Sequence, residues 1–96
     1  MAGKNPHPNT AKIELDFPIE ISGVETSYLI MRRPKVRDML AAQKAGNGDD
    51  AEMGIILVTN LCEITRDDVL ELDAADWEKC EAQVQAFKKA RSQNQS

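Results

Sequence analysis

The stretch Ile13-Glu14-Leu15-Asp16-Phe17-Pro18-Ile19-Glu20-Ile21, followed by Ser22-Gly23 and by Val24-Glu25-Thr26-Ser27-Tyr28-Leu29-Ile30-Met31, decides what kind of fold this chain makes. Ile13, Leu15, Phe17, Ile19 and Ile21 alternate with Glu14, Asp16, Pro18 and Glu20, the period of two of a half-buried strand. Pro18 donates no backbone hydrogen bond, which puts this strand at a sheet edge. Ser22-Gly23 is a turn signal, and Val24, Thr26, Tyr28 and Ile30 resume the alternation. A two-residue loop sets Ile21 opposite Val24, Ile19 opposite Thr26, Phe17 opposite Tyr28 and Leu15 opposite Ile30, all on one face. Leu29 and Met31 then project from the other face beside Asp16 and Glu14, exposed to a partner. An isolated hairpin is marginal in water, so its apolar face must lie on helices or on another chain.

Those helices are legible downstream. Between Met53 and Ile64 only Gly54, Thr59, Asn60 and Glu63 interrupt the apolar residues, so a helix there is apolar on nearly every side and is expected to be enclosed at the centre of the core. It is too short to span a bilayer, which takes about 20 apolar residues. Pro34 suits a first helical position and opens a helix over about 35–45, with Val36, Met39, Leu40 and Gln43 on one face and Gly46-Asn47-Gly48 as its stop. Asp49 with Glu52, Thr65 with Asp68, and Asp73 with Asp76 are start signals. They predict helices over about 50–64, 66–70 and 74–89, the last carrying the apolar stripe Trp77, Cys80, Val84 and Phe87. The expected fold is therefore α+β, an N-terminal antiparallel β-hairpin (13–31) packed on a small bundle of three to four α-helices. It forms a single domain over 12–90 between a disordered leader (1–11) and a disordered tail (91–96).

Composition bounds the chemistry. Ninety-six residues, 42% hydrophobic and 29% charged, suit one soluble domain, and the net charge of −4 argues against nucleic acid as a partner. The charge is uneven. Arg32, Arg33, Lys35 and Arg37 give +4 over 32–37, whereas eight acids between Glu63 and Glu81 face only Arg66 and Lys79, a local −6. Cys62 and Cys80 sit in apolar helical settings, as reduced buried thiols of a cytoplasmic protein do, and the N-terminus has no apolar signal segment. His7, the only histidine, lies in the leader. With two cysteines on different helices it makes no zinc set, and neither cysteine has a base to activate it. Gly46-Asn47-Gly48 lacks the Lys-Ser/Thr of a phosphate loop, and Asp49-Asp50 and Asp67-Asp68 sit where acids favour a helix start. No metal, cofactor, small-molecule substrate or catalysis is expected. The basic cluster supports three readings: a phosphate or RNA patch, ion pairs to the acidic Asp67–Asp76 segment, or a docking surface for an acidic partner.

The order Ile13-x-Leu15-x-x-Pro18-Ile19, Gly23, Arg32-Arg33-Pro34, Asp38-Met39-Leu40-Ala41-Ala42-Gln43-Lys44 and Leu72-Asp73-Ala74-Ala75-Asp76-Trp77 resembles the tail assembly chaperones of Mu-like and P2-like bacteriophages and prophages, over about Ile13–Lys89. The resemblance implies a small non-enzymatic chaperone that binds the tape-measure protein during tail assembly in the host cytoplasm. On this reading Leu29, Met31, Arg32, Arg33, Lys35 and Arg37 line the partner surface. A small adaptor or regulatory module, self-association, and an RNA-binding module using the Arg32–Arg37 joint are the alternatives.

Overall fold

A computed structural model describes residues 9–89. The order is β1 (Thr10–Ile21), β2 (Val24–Arg32), α1 (Val36–Gly46), α2 (Asp50–Cys62), α3 (Arg66–Leu70) and α4 (Ala74–Lys88). This is the expected α+β arrangement, a two-stranded antiparallel sheet followed by four helices. The strand begins at Thr10, so Thr10 and Ala11 belong to β1 and not to a leader. The rest of the expected leader, apart from Asn9, and the expected tail at 91–96 lie outside the described residues.

The turn is built as the sequence predicts. Ser22 (φ 53°) and Gly23 (φ 80°) are both left-handed, the conformation of a two-residue hairpin loop whose twist matches the strands. Ile21 pairs with Val24 and Ile19 with Thr26. Beyond that the register departs from strict alternation. Glu14 pairs with Tyr28, Ile13 with Leu29 and Ala11 with Met31, leaving residues 15–18 of β1 opposite Ser27 alone. The three surplus residues form a bulge at Pro18, which lacks the donor that a regular ladder needs. An odd slip exchanges the faces of β2. Leu29 and Met31 are therefore buried, Met31 completely (0% exposed), and the expectation that they face outward is corrected. Tyr28, Ile30 and the bulge residue Phe17 are exposed instead.

One face of the hairpin is covered by helices, α2 on β2 and α4 on β1, while α1 packs on α2 and α3 touches both α2 and β1. The core joins Ile13, Leu29 and Met31 of the hairpin to Leu57, Val58 and Leu61 of α2 and Val84 and Phe87 of α4. Asp49 caps α2 through the Glu52 backbone N–H (3.1 Å), Thr65 and Asp68 form a reciprocal box on α3, and Asp73 caps α4 through the Ala75 N–H (2.9 Å). The enclosure expected of α2 holds for its C-terminal half alone: Leu57, Val58, Leu61 and Cys62 are buried, whereas Met53, Gly54, Ile55 and Ile56 are half-covered. On α1 the inward face is Asp38, Ala42 and Gly46, at spacings of four, with Met39 beside it. Val36 and Leu40, expected inside, face solvent.

Two glycines yield opposite expectations. A Cβ on Gly46 would stand 2.5 Å from Met53 Cγ and 3.0 Å from the Met53 backbone nitrogen. The side chain can move aside but the backbone cannot without parting α1 from α2. Gly46→Ala is therefore expected to lose about 1–3 kcal/mol by overpacking, more than the ~1 kcal/mol of helix propensity it gains. A Cβ on Gly54 meets only the Trp77 ring, at an ordinary 3.6 Å. Gly54→Ala is expected to stabilise by about 0.5–1 kcal/mol. Urea titrations of the two variants check both signs.

Candidate partner-binding surfaces

The basic joint between β2 and α1 is an internal splice first. Arg32 makes a two-pronged pair with Asp38, Nη1 to Oδ2 at 2.9 Å and Nη2 to Oδ1 at 2.8 Å. Asp38 also accepts from the Lys35 backbone N–H at 2.8 Å. The Arg32 hydrogen bond, helped by the Lys35 N–H and opposed by burial, draws the Asp38 carboxyl from the ordinary 3.8 to about 2. Arg33 lies over the Phe87 ring, 5.2 Å from its centroid, and donates to the Phe87 carbonyl at 3.2 Å. The two arginines thus fasten the hairpin to α1 and to the end of α4. Among the described residues neither forms an ion pair with the Asp67–Asp76 segment, so that intramolecular expectation is corrected. Lys35 and Arg37 stay exposed beside a polar hollow of about 540 Å³.

Because the folded pKa of Asp38 is depressed, its contribution to stability is fully present above about pH 4 and is lost as pH falls towards 2. Asp38→Asn is expected to flatten the fall in urea midpoint across that window relative to the parent chain. An unchanged slope would exclude the Arg32 pair as its source.

The acidic segment divides differently from the sequence expectation. Asp76, expected to box the start of α4, is completely buried (0% exposed) and turned to the bulge. Its Oδ1 accepts from the Asp16 N–H at 2.9 Å and its Oδ2 from the Phe17 N–H at 3.0 Å. Burial pushes its pKa up, but these two donors and Lys79 outweigh it and the net shift is downward. Lys79 reaches Asp76 (3.4 Å), Asp16 (3.1 Å) and the Glu14 carbonyl (2.8 Å). Arg66 of α3 pairs with Glu52 of α2. Burial pushes the Cys62 thiol up to about 12, with Cys80 adding to it, and pushes Cys80 to about 11, with Asp76 and Glu81 adding to it. Both stay protonated near neutrality, and a thiol is a poor nucleophile.

An open apolar trough of about 340 Å³ lies elsewhere, between α2 and α4 with α3 at its end. Gly54, Ile55, Val69, Leu70, Leu72 and Trp77 form its apolar lining, and Asp50 and Glu81 are its charged residues. It continues past Trp77 into a hollow of about 120 Å³ that shares Gly54, Trp77 and Glu81 and has Lys88 at its wall. The trough exists because α2 leans on α1 and β2 while α4 leans on β1, and Gly54 presents no side chain where the two helices face each other across Trp77. Sequence reasoning missed it by treating the first half of α2 as enclosed. The available signal was a glycine interrupting an otherwise apolar helix, a common mark of close approach by another group.

A small α+β domain with an open apolar trough and outward hydrophobic side chains presents the surface of a polypeptide-binding protein. This chain belongs to the phage tail assembly chaperones: the family model described as phage tail assembly chaperone proteins, E, or 41 or 14, matches residues 12–89. No curated relative and no solved structure matches it. Among the described residues, no helix is long and apolar enough to cross a membrane, and no group of three or more His, Cys, Asp or Glu is placed to hold a metal ion.

Proposed function

We propose that this chaperone binds the tape-measure protein during tail morphogenesis in the host cytoplasm and covers its apolar segments without making or breaking a bond. The observation that carries this reading is the trough beside α2, where apolar side chains of the kind that ordinarily complete a core are left open among the described residues. Transfer of such surface from water is worth about 25 cal/mol per Å², and the same holds for the client segment that covers it. Of the six residues expected at the partner surface, Lys35 and Arg37 serve in this reading as a secondary polar contact. Arg32 and Arg33 act through the shape of the joint, and Leu29 and Met31 have no part in the contact. The test is co-expression with the very long gene product encoded just downstream in a tail cluster. The expected result is a soluble complex that co-purifies. A client that aggregates equally with and without this chain would overturn the proposal.

A further inference from the structure

We infer that the α2–α4 trough seats one amphipathic α-helix of the client whose apolar stripe is flanked by lysine or arginine. The inference rests on the chaperone reading and names the chemistry of the segment it holds. Three observations lead to it. The trough walls are helices, whose backbone groups beyond the first turn are already paired within themselves, so they offer no continuous ladder to an extended strand. An occupant must satisfy its own backbone, and a helix does so. Small residues, Ala51, Gly54 and Ala74, line the trough on α2 and α4, which lets a third helix approach closely. The charges are of one sign: Asp50 and Glu81 lie on the lining of the main trough, no cation does, and neither acid forms an ion pair among the described residues. Leu70, 50% exposed at the end of α3, is the apolar side chain that such a helix would cover. A small molecule fits less well, because an open trough without converging polar donors fixes no orientation.

Trp77 is the only tryptophan in the chain and lines the trough, so its emission reports occupancy directly. The probes are two tryptophan-free synthetic helical peptides, about five turns long, with the same leucine stripe and with either lysine or glutamate flanks. The lysine-flanked peptide is expected to shift Trp77 emission saturably and to bind at least about tenfold more tightly than the glutamate-flanked one, a preference that shrinks with added salt. Glu81→Lys is expected to abolish or reverse the preference. Leu70→Asn, at a half-exposed position, is expected to weaken both peptides while leaving the circular dichroism unchanged. Equal affinity for the two peptides, binding that leaves Trp77 emission unmoved, or a preference indifferent to Glu81→Lys would each overturn the inference. So would a concentration-dependent dimer that Leu70→Asn dissolves, which would put a second copy of this chain in the trough. Co-expression of the same variants separates the two proposals. If parent and variants hold the tape-measure protein equally well, the trough is not its seat and the chaperone reading stands. If the parent chain fails to hold it, the chaperone reading falls, whatever the peptides do.

Discussion

Replacing Asp76 by alanine is expected to destabilise the fold by about 2–5 kcal/mol, by removing the completely buried carboxylate that accepts two part-buried N–H groups of the bulge. The bulge in β1 removes the Asp16 and Phe17 N–H groups from the ladder, and the Asp76 carboxylate takes both, at 2.9 and 3.0 Å. A hydrogen bond to a charged group contributes about 1.5–3 kcal/mol, and Asp76 makes two, each part-buried, so the lower part of the sum applies. Lys79 would lose one partner but keeps Asp16 and the Glu14 carbonyl, and it is part-exposed, so it adds little. Against a typical total of roughly 5–15 kcal/mol, the loss is large enough to populate the unfolded state. Asp76→Asn keeps one acceptor and turns an N–H₂ group towards the second donor, so it should recover only part of the loss. Because the Asp76 pKa is depressed in the folded chain, its charge contributes fully above the ordinary carboxyl range and that contribution is lost as pH falls below it. The deficit of Asp76→Asn against the parent chain is therefore expected to narrow in acid. Denaturant unfolding measures all three. A loss under about 1 kcal/mol for Asp76→Ala would show that the bulge is held by something other than this carboxylate.

The second large effect tests the register itself. Met31→Ala is expected to lose about 2–5 kcal/mol and its neighbour Ile30→Ala under about 1 kcal/mol. Met31 is 0% exposed and Ile30 is 47% exposed, on opposite faces of β2. Strict alternation carried through from the turn predicts the reverse order, because it puts Ile30 opposite Leu15 on the inner face and Met31 outside. The pair of variants thus separates the two registers by sign, independent of the absolute scale of either measurement. Equal losses, or a larger loss at Ile30, would restore the unbulged hairpin and with it Leu29 and Met31 as surface residues.

The candidate site was legible in the sequence to a smaller degree than the fold. The cluster Arg32, Arg33, Lys35, Arg37 stands out as charge, but charge density alone does not say which guanidinium is already satisfied. Arg32 finds Asp38 in the first turn of α1, six positions away, and Arg33 finds the Phe87 carbonyl 54 positions away. The trough was not legible, because it is a space between α2 and α4 that depends on how each leans against the sheet.

What the sequence determined by itself is everything decided within a turn or two of chain. The two left-handed residues Ser22 and Gly23, the caps Asp49, Thr65 and Asp73, the stripe Cys80, Val84 and Phe87, and the order of strands and helices all follow from local conformational preference and apolar period. Only the tertiary structure decided the faces: which side of β2 is inside, which side of α1 meets α2, and which half of α2 stays open. Each of those turns on a contact between distant segments, above all Asp76 with the bulge 60 residues earlier. The physical reason is that a proline in the strand leaves the regular ladder without a donor at that position, so local pattern alone does not fix the register. A buried carboxylate that can satisfy two displaced N–H groups tips the balance to the bulged one.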